Sequence, residues 1–241
     1  MRRRFFVDGF QANSAVLRGH TAEHLGRVLR AERGQLYELS DGNAVWLGRI
    51  DRVAVSRSGS EISFELVERV PAREPKLRVN LLLSLVKFDR FEWCLEKATE
   101  LGADEITPLA AARTDKPLLA AASKRRTRWE KILVESAQQA RRLRPPILRP
   151  TIRPAHAFAG ASESHKILLL EGQDVKGMGD VLGPPQGDSA TVAVGPEGGW
   201  TDDEIARARA AGFAEASLGE NILRTETAVI AALAIVRFAL T

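Results

Sequence analysis

Between Arg4 and Val70 the apolar positions come in short runs, Phe5–Val7, Gln35–Leu39, Ala44–Ile50 and Glu61–Leu66, set apart by polar and glycine-bearing stretches. Runs of this length predict strands, and Asp41-Gly42 between the second and third predicts a hairpin turn. One helix is expected over Thr21–Leu29, so this part reads as a small β-barrel-like domain that closes at the Pro71–Pro75 linker. The pattern then changes. Leu77–Val86 is almost continuously apolar, as in a strand buried on both faces. Phe91, Leu95, Ala98 and Leu101 follow at helical spacing, which predicts a helix over Asp89–Leu101 with Asp89 and Glu92 as a capping pair and Gly102 as its stop. Further strands are expected at Glu105–Leu109, Lys166–Leu170, Thr191–Val194 and Ala214–Leu218, with helices at Ser123–Arg142, from the Thr201–Glu204 capping box to Gly212, and at Thr225–Leu240. Alternating strands and helices predict an α/β domain with a mostly parallel sheet, and the chain is expected to divide into residues 1–72 and 73–241.

The last helix is unusual in having almost no polar face from Ala228 to Val236. Such a helix is covered all round, either by its own domain or by a second copy of the chain, and the sequence favours neither. The run is far shorter than the roughly 20 apolar residues of a membrane span. The arginine-rich start lacks a signal-peptide pattern, so a cytoplasmic protein is expected. Cys94 is the single cysteine of the 241 residues, which excludes an intrachain disulfide framework or a cysteine-built zinc site. The formal net charge is only +4, but Arg2-Arg3-Arg4, Lys124-Arg125-Arg126 with Arg128, and Arg141-Arg142 with Arg144 group the positive charge as a polyanion-binding surface does.

Several familiar chemistries are missing. There is no phosphate-binding loop with its lysine, no Gly-x-Gly-x-x-Gly after a strand, and no Gly-x-Ser-x-Gly elbow. His20 and His24 have the spacing of a metal pair without an evident third ligand, and no metal is expected. The informative segments are Leu170-Glu171-Gly172, Val194-Gly195-Pro196-Glu197-Gly198-Gly199, and Leu218-Gly219-Glu220-Asn221-Ile222-Leu223-Arg224-Thr225-Glu226. Each follows an expected buried strand. A glycine-rich turn alone reads better as a plain strand-to-helix connection, but loops at the carboxyl ends of parallel strands are where open α/β sheets bind ligands. Together they predict a cradle for an adenosine-like ligand held through backbone groups.

Gly195-Pro196-Glu197-Gly198-Gly199 and Leu223-Arg224-Thr225-Glu226-Thr227-Ala228, in that order and spacing, resemble the RsmE-type 16S ribosomal RNA uridine-N3 methyltransferases of the SPOUT superfamily. The resemblance extends to Arg3–Val7, His24-Leu25 with Arg27–Arg30, and Lys97–Gly102. It departs at Arg113-Thr114-Asp115-Lys116, where an arginine followed by serine is expected, and at the more basic Arg141–Arg144. The resemblance implies a PUA-like RNA-binding β-barrel over residues 1–72, and over 73–241 a trefoil-knotted domain that binds S-adenosylmethionine and forms a homodimer. The implied partner is 16S RNA of the small ribosomal subunit. The implied cofactor residues are Leu170, Glu171, Gly172, Val194, Gly195, Pro196, Gly198, Gly199, Leu218, Gly219, Asn221, Ile222, Leu223 and Thr225.

Uridine N3 becomes a nucleophile only when its proton leaves, so such an enzyme needs a base and a cation beside the developing charge. Arg224 is expected to stabilise that charge, with Glu226 or Glu197 as the base. Arg3, Arg4, Lys87, Arg90, Arg113, Arg141 and Arg142 are the expected RNA contacts. Other readings are a related methyltransferase acting on a ribose 2′-hydroxyl or on transfer RNA, and a non-catalytic RNA-binding assembly factor with a vestigial pocket.

Overall fold

The computed structural model describes residues 3–56, 59–72, 74–172, 174–183 and 187–241. Arg2 of the first basic group and Arg73 of the linker lie outside them. The chain forms two compact units, Met1–Glu74 with Ala137–Pro145, and Pro75–Ser136 with Pro146–Thr241. The break thus falls between Glu74 and Pro75, and a later nine-residue stretch belongs with the first unit, which the expected division at residue 73 does not contain.

In the first unit β1 (Arg4–Phe6), β2 (Phe10–Gln11), β3 (Ser14–Arg18), β4 (Leu36–Ser40), β5 (Val45–Ser56) and β6 (Gly59–Val70) make one sheet in the order β1-β4-β5-β6-β3-β2. Only the β1–β4 pair is parallel. The expected hairpin forms between β4 and β5, where the Asp41 carboxylate accepts from Asn43 N at 2.9 Å and Ala44 N at 2.7 Å, and Gly42 takes φ +89°. The expected first helix begins two residues earlier, at Gly19, and is divided. It runs as α1 (Gly19–Glu23) and then widens into a π-helical turn over His24–Val28. Gly26 lies in that turn with its backbone so close to Val55 that a β-carbon would clash with it. Phe5, Leu17, Leu25, Leu39, Ile50, Ile62 and Phe64 fill the core.

The stretch 137–145 is fastened to this unit by hydrogen bonds. Arg4 donates to the Arg141 carbonyl at 2.6 Å and Ser40 to the Leu143 carbonyl at 2.6 Å, while Arg144 reaches Glu74 at 2.6 Å.

The second unit is an α/β layer structure. Strands β7 (Arg78–Ser84), β8 (Glu105–Leu109), β9 (Ile147–Leu148), β10 (His165–Leu169), β11 (Ser189–Val194) and β12 (Ala214–Ala216) form a sheet in the order β12-β10-β11-β7-β8-β9, with every pair parallel. Helices α2 (Phe88–Glu100), α3 (Lys116–Gln139), α4 (Pro154–Gly160), α5 (Met178–Leu182), α6 (Asp202–Ala210) and α7 (Thr225–Leu240) connect and cover it. Odd positions of β7, Val79, Leu81 and Leu83, enter a core with residues of α2, α3, α5 and α7. The even position Leu82 joins Phe158, Ala208 and Phe213 on the other face, as strand alternation requires. Trp129 of α3 packs on Phe91 of α2 with ring centres 4.6 Å apart.

Two helix starts differ from the sequence reading. α2 begins at Phe88 after Lys87, with no side-chain cap, and Glu92 pairs instead with Arg128 at 2.8 Å. α3 starts seven residues before Ser123, because Pro117 sits in its first turn, where no amide hydrogen is needed. The Thr201 capping box of α6 is present, and α7 has its expected bounds. Near the end of α7 the guanidinium of Arg237 donates to the Leu77 carbonyl at 2.6 Å and to that of Gly102, and its burial lowers its pKa.

Candidate active site

β12, β10 and β11 are neighbours in the sheet, so the chain leaves three adjacent strands at one edge. The loops after them enclose a cavity of about 700 Å³, within the roughly 300–1,000 Å³ usual for small-molecule sites. Leu170, Glu171 and Gly172 come from the first loop, Val194–Trp200 from the second and Ser217–Thr225 from the third. All fourteen residues expected to hold the cofactor line this cavity, as do Glu197 and Arg224.

The second loop is held from several sides. Gly199 N donates to the Pro196 carbonyl at 2.8 Å, and Gly199 takes φ +71°, which glycine adopts without strain. The buried Trp200 indole donates to the Leu169 carbonyl at 3.1 Å and ties this loop to the end of β10. A β-carbon on Gly195 would stand 3.0 Å from that indole nitrogen, so glycine is needed for the close approach. Behind the loop, Glu204 is only 6% exposed. Its carboxylate accepts from Thr201 N and from Ala112 N, both at 2.9 Å. In the third loop the Ser217 hydroxyl accepts from Gly219 N at 3.2 Å and donates to the Gly219 carbonyl at 3.0 Å.

Arg90, Arg113, Arg224, Glu171, Glu197 and Glu220 give the cavity three charges of each sign. Arg90 pairs with Glu197, so this carboxylate is tied to a cation from α2 rather than to amides of its own loop. Arg113 donates to the Gly198 carbonyl at 2.8 Å. Arg224 is the extended residue just before α7, and its side chain makes no ion pair among the described residues.

A family model described as an RNA methyltransferase domain matches residues 73–237, which include the whole of this cavity. The chain belongs to this family. Among its relatives, a Ribosomal RNA small subunit methyltransferase E of Synechocystis is 35% identical over 88% of this chain and 68% of its own length. The protein of the same name from Mesomycoplasma hyopneumoniae is 30% identical over 94% of this chain and 95% of its own. A Ribosomal RNA small subunit methyltransferase E from Neisseria gonorrhoeae, crystallised bound to S-adenosyl methionine, superposes with a TM-score of 0.86 at 28% identity over 100% of this chain and 98% of that one.

Several positions in this RNA methyltransferase differ from the sequence reading. Glu226 does not line the cavity. It lies in the first turn of α7, with Oε2 buried and lacking a hydrogen-bond partner among the described residues. Burial first, and then the charge of Glu226, push the Cys94 thiol on α2 up to about 12. Arg4 is not a surface phosphate contact, because its side chain is 10% exposed and bonds Glu38 at 2.8 Å. Arg141 takes φ +52° and approaches the same Glu38 at 3.7 Å. Arg90 and Arg113, expected to meet RNA, stand at the cavity itself. Lys87 and Arg3 are exposed and Arg142 half-buried, and none of the three lines the cavity. Leu169, Trp200, Ile205, Ser217, Glu220 and Ala228 also line the cavity, although the sequence assigns none of them a site role. The tryptophan directly after Gly199 was the available signal for one of them. His20 lies in α1 and His24 begins the π-helical turn, and among the described residues no group of three or more His, Cys, Asp or Glu stands together as a metal site. No helix among the described residues is long and apolar enough to cross a membrane.

Proposed function

We propose that this chain is an S-adenosylmethionine-dependent methyltransferase that modifies N3 of a uridine in 16S RNA of the small ribosomal subunit. The observation that carries this reading is the convergence of three glycine-bearing loops, from adjacent parallel strand ends, on one cavity. The cradle suits the cofactor. A β-carbon at Gly195 would press on the Trp200 ring, and one at Gly198 would stand 3.3 Å from Arg113, so the loop keeps its shape only with bare backbone there.

When bound, S-adenosylmethionine supplies a methyl group on a positively charged sulfur. The chain supplies binding, orientation and proton handling. Leu170, Val194, Leu218 and Ile222 offer apolar walls, and the glycine-bearing turns offer main-chain donors and acceptors to a flat ligand. N3 lies on the Watson–Crick edge, so the base is unpaired or flipped when it reacts. Arg224, without an ion pair among the described residues, stabilises the charge that develops on the uridine carbonyl oxygens. Glu197 takes the N3 proton in this reading, because it lines the cavity and Glu226 does not. Arg3, Lys87, Arg113 and Arg142 then hold RNA phosphates.

The same reading makes the first unit a PUA-like RNA-binding domain and the second a trefoil-knotted, dimer-forming one in a cytoplasmic enzyme. A helix as apolar as α7 with Phe238 91% exposed supports a second copy as its cover. Calorimetric titration with S-adenosylmethionine tests the reading. Saturable binding to the full chain is expected, and no binding leaves the non-catalytic RNA-binding factor standing.

A further inference from the structure

A second cavity of about 240 Å³ lies on the sheet face opposite α2 and α7, and it shares no lining residue with the first. Its floor is set by strand register. Asn80 of β7 stands beside Thr191 of β11 and Glu105 of β8, and Leu82 stands beside Thr107. Asn80 interrupts an apolar interior strand, where asparagine is disfavoured and a break in local pattern marks a strained or functional position. Asn80 donates to one oxygen of Glu163, and Glu105 pairs with Arg149 at 2.7 Å. Two polar atoms have no hydrogen-bond partner among the described residues: the hydroxyl of Thr191, a residue only 1% exposed, and the buried Oε2 of Glu163.

We propose that this cavity is a binding site for a small alkylammonium ion. The Glu163 carboxylate accepts hydrogen bonds and the Thr191 hydroxyl can accept as well as donate, so a ligand that brings N–H donors satisfies both. Glu105 and Arg149 pair with one another, which leaves Glu163 as the lining carboxylate without an ion-pair partner among the described residues. Leu82, Ile152, Ala157 and Ala161 provide apolar wall for a methylene stem. A divalent metal is disfavoured, since no group of three or more metal-ligating side chains of the His, Cys, Asp or Glu kind stands together among the described residues.

The test is titration of the full chain, followed by calorimetry and amide NMR, with n-butylamine, 1,4-diaminobutane and the neutral shape-match n-butanol. Saturable binding of the amines but not the alcohol is expected. Glu163→Gln should weaken it about tenfold or more, as loss of a charge-assisted hydrogen bond does. Thr191→Val should weaken it less, with both variants keeping the wild-type circular dichroism and urea midpoint. Nα-acetyl-lysine methylamide in parallel distinguishes a lysine side chain from a free amine as the source of the head group. The proposal is overturned if neither amine saturates by about 10 mM, if n-butanol binds equally, if folded Glu163→Gln binds unchanged, or if a crystal soaked in the amine shows only water.

Discussion

Arg224 differs from the other two arginines of the candidate active-site cavity in what holds it. Arg90 is paired with Glu197 and Arg113 with the Gly198 carbonyl, whereas Arg224 has no ion pair among the described residues. Replacing Arg224 by alanine should therefore cost about 100-fold in single-turnover methyl transfer, in line with loss of one charge-stabilising donor, with little change in cofactor affinity by calorimetry. Unchanged turnover would remove Arg224 from the mechanism. Cys94 gives a second expectation at this scale. Its folded pKa of about 12 stands above its ordinary value of 9.0, so the thiol keeps its proton when the unfolded chain loses it. Stability is then unaffected below about pH 9 and falls as pH rises towards the folded value, at up to about 1.4 kcal/mol per pH unit. Urea unfolding of wild type and Cys94→Ala at pH 8, 9 and 10 should show the two diverging, and a constant difference would contradict this. Residue positions were legible where the pattern is local, as in the glycine turns that line the cavity. They were not legible for Arg4, whose partner Glu38 is distant in sequence, or for Glu226, whose direction depends on how α7 packs against α2.

Among the elements, α6 connects local sequence to the site most directly. Its capping box is readable from Thr201 and Glu204 alone, yet the same Glu204 carboxylate also accepts from Ala112 N on the far side of the loop. Thr201→Ala should cost about 1 kcal/mol in urea unfolding, the usual effect of losing a cap, and Glu204→Ala more, because a main-chain amide loses its partner. Equal and negligible costs would show that the box does not hold the loop. Strands β7, β8, β10 and β11 and helix α7 were legible because their apolar positions form clear runs. β2, β9 and α5 were not, since two to five residues carry no measurable period, although Pro154 at the first position of α4 was a usable start signal. The π-helical turn places Gly26 against Val55, a contact that no local pattern encodes.

At the scale of the whole molecule, the return of residues 137–145 to the first unit depends on contacts with Arg4, Ser40 and Gly42, about a hundred residues earlier, so the α/β class was legible and this path was not. The apolar character of α7 was legible, and the structure divides it into a face packed in the core and an outward face that carries Phe238, 91% exposed. If a second copy covers that face, the protein sediments as a dimer and Phe238→Glu shifts it to monomer, while a wild-type monomer would refute the homodimer. The proposed reaction is methyl transfer to uridine N3. The most direct measurement is incorporation of label from S-adenosylmethionine into small ribosomal subunits from cells lacking this gene, with naked 16S RNA and transfer RNA alongside, followed by nucleoside mass spectrometry. Labelled 3-methyluridine from the ribosomal RNA is the predicted result, and label on a ribose, in transfer RNA, or nowhere would contradict it.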